Sequence, residues 1–212
     1  MKKIIIVPMC MLLISIVPFT VSAGNEETPE IEDKTGDARP YLDVEKIWFR
    51  EEEHNPDFLY VTMKLNNPSQ IAPKQHLYVK WMMNGEYYSS GLTIGYGFNN
   101  WMIYSSIEGL TSFGEKYNQT KITGSFNKEE KIIVCKIPKS AIGDPKIGDV
   151  LTHTHAQCFQ RFGLWGRLGF SPKFREIIFL IFDLPALKVL DSAPDILQDG
   201  TCGYGKDYVV KY

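Results

Sequence analysis

The sequence predicts an all-β fold, an antiparallel jelly-roll-like β-sandwich in a single domain with one short helical turn near 138–143. Three observations carry that expectation. About nine or ten short stretches have strand character, Asn-, Gly- and Pro-bearing turn signals separate them, and no long segment keeps a 3.6-residue apolar period. A high aromatic content, 13% of residues, suits a β-rich core and suits ligand platforms equally.

The strands follow in order. Leu42 and Val44 alternate with Asp43 and Glu45, and the pattern slips before Ile47-Trp48-Phe49, which predicts a bulge. Glu51 to Asp57 reads as a turn. Leu59, Val61, Met63 and Leu65 alternate with Tyr60, Thr62 and Lys64 as a half-buried strand, broken by Asn66-Asn67-Pro68-Ser69. Leu77, Val79, Trp81 and Met83 form the next strand, and Asn84-Gly85 signals a tight hairpin into Glu86-Tyr87-Tyr88. Residues 91–106 predict two strands joined around Asn99-Asn100, and 121–126 with 131–137 flank Asn127-Lys128-Glu129-Glu130 as a further hairpin. Pro138 to Ile142 reads as one helical turn closed by Gly143, followed by a loop over 144–149. Strands are expected at 150–159, 173–182 and 204–211.

The first 23 residues have the layout of a secretory signal peptide: Lys2 and Lys3, an apolar run from Ile4 to Val21, and Val21-Ser22-Ala23 as a small-x-small cleavage site. Residues 24–32, acidic and Pro-containing, are then expected to be a flexible leader, with the sandwich over 33–212. The expectation is a secreted or cell-surface protein that meets the membrane only through the leader. Loss of Lys2 and Lys3 leaves 21 basic against 25 acidic residues, a net charge of −4, which offers no broad attraction to nucleic acid.

Three cysteines lie beyond the leader. Outside the cell thiols tend to pair, so a Cys135–Cys158 disulfide is favoured, with Cys202 able to replace either partner or stay free; three buried, reduced thiols are the alternative. His153 and His155, two apart on a strand, would face one side and could share a transition metal, although no third ligand follows. Asp33 and Asp37 open the domain, and Asp191 and Asp207 lie near its end. Carboxylates on such turns suit calcium if the first and last strands are neighbours. No G-x-S-x-G motif or ordered triad supports nucleophilic catalysis, and Glu108, Glu115 and Glu176 have no assigned role. Tyr87, Tyr88, Tyr96, Phe98, Trp101 and Tyr104 cluster around turns. Of these, Trp101, Tyr96, Tyr104 and Tyr87 are the candidates for stacking on a sugar or anchoring a protein. Asn118-Gln119-Thr120 is a glycosylation sequon.

Asp33-x-x-Gly36-Asp37 before Tyr41-Leu42-Asp43-Val44, the strand Leu59 to Met63, Ile137 to Gly143 with Gly148-Asp149, and Gly205-Lys206-Asp207-Tyr208 form a pattern over residues 31–212. It resembles exported archaeal and bacterial β-sandwich modules similar to the DOMON-like and family-9 carbohydrate-binding superfamily. That resemblance implies a jelly-roll-like sandwich, calcium-stabilised in some members. In relatives that hold haem, an axial Met and His pair is implied, and Met82, Met83 and Met102 match no defined position for it. Arg161 to Leu190 departs from the pattern as an insertion. The function expected is a non-catalytic module binding a glycan or surface-protein partner. The alternatives are a metal-binding protein centred on His153 and His155, and a structural envelope subunit.

Overall fold

Alternation along short segments produces twelve strands in the computed structural model, which describes residues 24–68, 75–94, 99–106, 118–161, 187–194 and 203–212. They are β1 (Ile31–Glu32), β2 (Val44–Arg50), β3 (Phe58–Leu65), β4 (Gln75–Met83), β5 (Glu86–Ile94), β6 (Asn99–Ser106), β7 (Asn118–Lys121), β8 (Thr123–Asn127), β9 (Ile132–Pro138), β10 (Val150–Arg161), β11 (Leu187–Ala193) and β12 (Tyr208–Val209). Two antiparallel sheets result, stacked as a sandwich. One has the order β1-β2-β3-β9-β8; the other runs β11-β10-β4-β5-β6-β7, with β12 beside the start of β10. The signal peptide and the strand expected at 173–182 lie outside the described residues.

Local chemistry explains the connections. Asn84 and Gly85 both take positive φ, 52° and 81°, which is the two-residue turn whose twist matches paired strands, so β4 and β5 zip in register from Met83↔Glu86 onward. Lys139–Ile142 forms one 3-10 turn, and Gly143 at φ 79° closes it by donating to the Lys139 carbonyl. β4 alternates strictly between buried and half-buried residues.

The core lies between the sheets. Phe49 of β2 meets Trp81 of β4 edge-on at 5.6 Å between ring centroids, and Trp81 stacks on Tyr88 of β5 at 5.9 Å. Leu59, Val61 and Met63 from β3 and Leu77 and Val79 from β4 fill the space around them. The outer face of β3 differs from the half-buried strand the sequence predicts. Tyr60 and Thr62 are buried there as well: the Arg50 guanidinium lies 4.4 Å and the Lys136 ammonium 5.7 Å from the centroid of the Tyr60 ring, and Thr62 pairs with buried Trp48 of β2. Long basic side chains roof an aromatic surface while keeping their charges in water.

The segment expected to be a flexible leader is built into the sandwich. Ile31 is fully buried, Glu26 pairs with Lys64, and the Glu30 carboxylate accepts the Phe49 N–H at 2.8 Å. The carboxyl-terminal tail closes the same region. The Lys206 N–H donates to the Glu30 carbonyl, Gly205 donates to Thr154, and Val210 donates to Asp149. Glu51 anchors the end of the tail, accepting the Tyr208 hydroxyl at 3.0 Å and the Lys211 N–H at 2.7 Å while pairing with the Lys139 ammonium. Lys139 also donates to the Tyr212 carbonyl.

Candidate cation site at the sheet junction

Eleven residues separate β1 from β2, and their turn chemistry gathers carboxylates. Gly36 at φ 98° lets the loop reverse, and its N–H donates to Asp43 Oδ2 at 2.8 Å. The Asn66 side chain donates to the same oxygen at 2.9 Å. Asp43 is completely buried, and its Oδ1 has no hydrogen-bond partner among the described residues. On the opposite sheet, β11 carries Asp191 beside Cys158 of β10. Asp191 Oδ2 accepts the Val44 N–H at 2.7 Å, which ties the two sheets together at this edge.

Asp33, Asp37 and Asp191 each bring one oxygen to a point where all three lie within 4.8 Å of one another. Burial pushes the Asp191 carboxyl up to about 6, with the Val44 N–H acting against the rise and Asp37 and Asp43 adding to it. Calcium takes oxygen ligands at about 2.3–2.6 Å, so oxygens on opposite sides of one ion stand roughly 5 Å apart. The observed spacing fits that geometry. Asp37 is exposed and Asp33 half-buried, so water can complete the coordination shell.

Three of the four aspartates expected for calcium thus converge. Asp207 does not join them: it is exposed on the tail, which runs along the start of β10 and Glu30. Asp43 was missed, because alternation through Leu42-Asp43-Val44 puts it on an outward face. It precedes the strand, and its backbone N–H bonds Arg39 of the loop instead.

The histidines take a different arrangement from two residues on a regular strand. A register shift lies between Thr152 and His155, and His153 has φ 53°, so β10 bulges at the pair. Leu151, Thr154, Ala156 and Cys158 are the core-facing residues. Both imidazoles pack against Tyr204, at 4.6 Å for His153 and 5.8 Å for His155. His155 Nδ1 lies 3.0 Å from the His153 carbonyl, and burial lowers the His155 pKa. Among the described residues neither histidine belongs to a three-ligand cluster.

The aromatic candidates are distributed over both faces. Trp101 pairs in register with fully buried Leu92 and packs against Gly124 of the other sheet, where any Cβ would collide with the indole. Tyr87 is half-buried on the face opposite Tyr88, which is core. Tyr104 pairs with Ser89 and Gln119. Tyr96 and Phe98 lie outside the described residues. Tyr204, 54% exposed in the Gly-rich tail, is a further ring, one that strand alternation does not single out. Asn118 is exposed on β7 at the edge of its sheet.

The expected Cys135–Cys158 disulfide is absent, and both thiols are free and buried. They sit in different sheets, each with its own neighbours: Val61 and Gly124 flank Cys135 in register, Leu77 and Asp191 flank Cys158. Burial pushes the Cys135 thiol up to about 12, with Ser90 acting against it. Burial also raises the Cys158 thiol, aided by Asp191 and Asp43. Cys202 lies outside the described residues.

Fold and site together define an antiparallel β-sandwich with an acidic sheet junction. No protein family, curated protein or solved structure matches this chain.

Proposed function

We propose that this protein is an exported, non-catalytic β-sandwich module whose sheet junction binds calcium and whose outer surface binds a glycan. The convergence of Asp33, Asp37 and Asp191 beside buried Asp43 carries the reading, since oxygen donors on a glycine-bearing loop are what a hard divalent cation requires. The ion would offset repulsion among carboxylates brought from both sheets. It would act structurally, holding the β1–β2 loop against β11.

The glycan part of the reading is supported by Tyr204, a mostly exposed ring braced by His153 and His155. A ring with a polar tip stacks on a sugar face and hydrogen-bonds its hydroxyls. The test is unfolding of the chain lacking residues 1–23 in millimolar calcium and in chelator, paired with a glycan-array screen of the same protein and of Tyr204→Ala. Calcium-dependent stabilisation and array binding lost in Tyr204→Ala are expected. Equal melting in calcium and chelator, with no glycan retained, would overturn the proposal.

A further inference from the structure

Gly24 is a buried residue in a segment that composition marks as exposed. A methyl built on its α-carbon would overlap both carboxylate oxygens of Glu30 and the Phe49 carbonyl oxygen. The Gly24 nitrogen, about 2.5 Å from such a methyl, therefore lies within roughly 5 Å of each Glu30 oxygen. Only glycine fits there. Glu30 is itself 7% exposed and accepts the Phe49 N–H, yet among the described residues no Lys, Arg or His nitrogen forms an ion pair with it. Lys206 and Lys211 of the tail act on it only at longer range, and the neighbouring acid, Glu51, is taken up by Lys139 and Tyr208.

We propose that hydrolysis of the Ala23–Gly24 peptide bond supplies the cation Glu30 lacks: the new Gly24 α-ammonium closes onto the Glu30 carboxylate and the Phe49 carbonyl, so that leader removal locks the fold. Water adds across the bond, leaving the carboxylate on Ala23 and the amine, protonated from solvent, on Gly24. The inference rests on the export reading, in which a signal peptidase acts after Val21-Ser22-Ala23.

The chemistry before and after cleavage differs in kind. In the precursor the Gly24 nitrogen is an amide with one neutral N–H, and burial holds the Glu30 carboxyl up at about 7. After cleavage the same nitrogen carries a full charge and three donors, enough for both carboxylate oxygens and the carbonyl. A buried acid without a cation destabilises the leader-bearing chain, and the same acid paired stabilises the product. The precursor is thereby the looser form, suited to passage through a translocation channel.

The experiment compares a chain whose first residue is Gly24 with one that retains Ala23, and with Glu30→Gln versions of both. The Gly24 amine, followed by the pH dependence of its acylation, is expected to titrate at least one unit above an ordinary α-amine, making it about tenfold less reactive at neutral pH. Retaining Ala23 is expected to lower the melting temperature in the wild-type background and to change nothing in Glu30→Gln. If Glu30→Gln does not fold, the wild-type pair decides by itself. An amine that titrates normally, or equal melting with and without Ala23, overturns the ion pair. Amino-terminal sequencing of the exported protein tests the cleavage separately. A start at Gly24 supports it, and a start elsewhere overturns the processing step, while the chain made to begin at Gly24 still reports on the pair.

Discussion

Two regions of this sandwich bury carboxylates and use them in opposite ways. At the clasp, Glu51 receives a lysine ammonium, a tyrosine hydroxyl and a backbone N–H from the tail. At the sheet junction, Asp33, Asp37 and Asp191 are drawn together beside Asp43. Each region joins segments far apart in sequence, since Glu51 reaches residue 211 and Asp191 reaches residue 44. The clasp sets its acid against a lysine ammonium, whereas the junction sets three carboxylates within 4.8 Å of one another.

The largest test of that contrast is Glu51→Ala. It strands the largely buried Lys139 ammonium and removes the acceptor for Tyr208 and Lys211, so a loss of about 3–5 kcal/mol is expected in urea unfolding. A loss below about 1 kcal/mol would mean that the clasp holds nothing.

Glu30 gives the next effect, through pH. Its carboxyl is raised by burial from 4.5 to about 7, with the Phe49 N–H acting against the rise and Lys206 and Lys211 also lowering it. The folded precursor therefore binds this proton more tightly than the unfolded chain. Its contribution is fully present below about pH 4.5 and is lost as pH rises through about 7, roughly 3 kcal/mol in all for that single group. Measured on chains that retain Ala23, Glu30→Gln should flatten this part of the stability profile. An unchanged slope would remove Glu30 from the account.

A somewhat smaller effect is expected at the junction. Calcium at about 100 times its dissociation constant should add roughly 2.7 kcal/mol. Asp37→Asn, a change at an exposed residue, should abolish the increment, read as the difference between calcium and chelator for that variant. If Asp37→Asn keeps the full calcium response, the ion lies elsewhere. The smallest effect concerns the thiols: Cys135 and Cys158 should both be recovered free after denaturation, and both should react slowly with thiol reagents in the native protein.

Much of the strand framework could be read from alternation, because β4 keeps strict period 2 and Asn84-Gly85 takes the positive φ values its chemistry favours. The same period cannot say which face of a strand meets the other sheet. Trp101, expected as an outward platform, packs against Gly124 between the sheets. Nor does alternation survive the bulge at His153, whose φ of 53° shifts the parity of Thr152 against Thr154. At the candidate site, Asp33 and Asp37 are legible as loop acids, whereas Asp191, expected on a turn, lies on β11 opposite Cys158. Asp43 was not legible, since its burial depends on Gly36 and Asn66 folding over it. The packing of residues 24–32 was hidden for a related reason. Acidic composition argues for solvent, and only the tail and β2 together make a place for Glu30.

The four residues of β7, all polar and all exposed, stand last in the larger sheet among the described residues. Such a border invites pairing with a neighbouring molecule, and its brevity and the Lys121 charge discourage it. In a host that attaches oligosaccharide to Asn118, the branched chain would stand on this border and keep crowded copies from stitching into fibres.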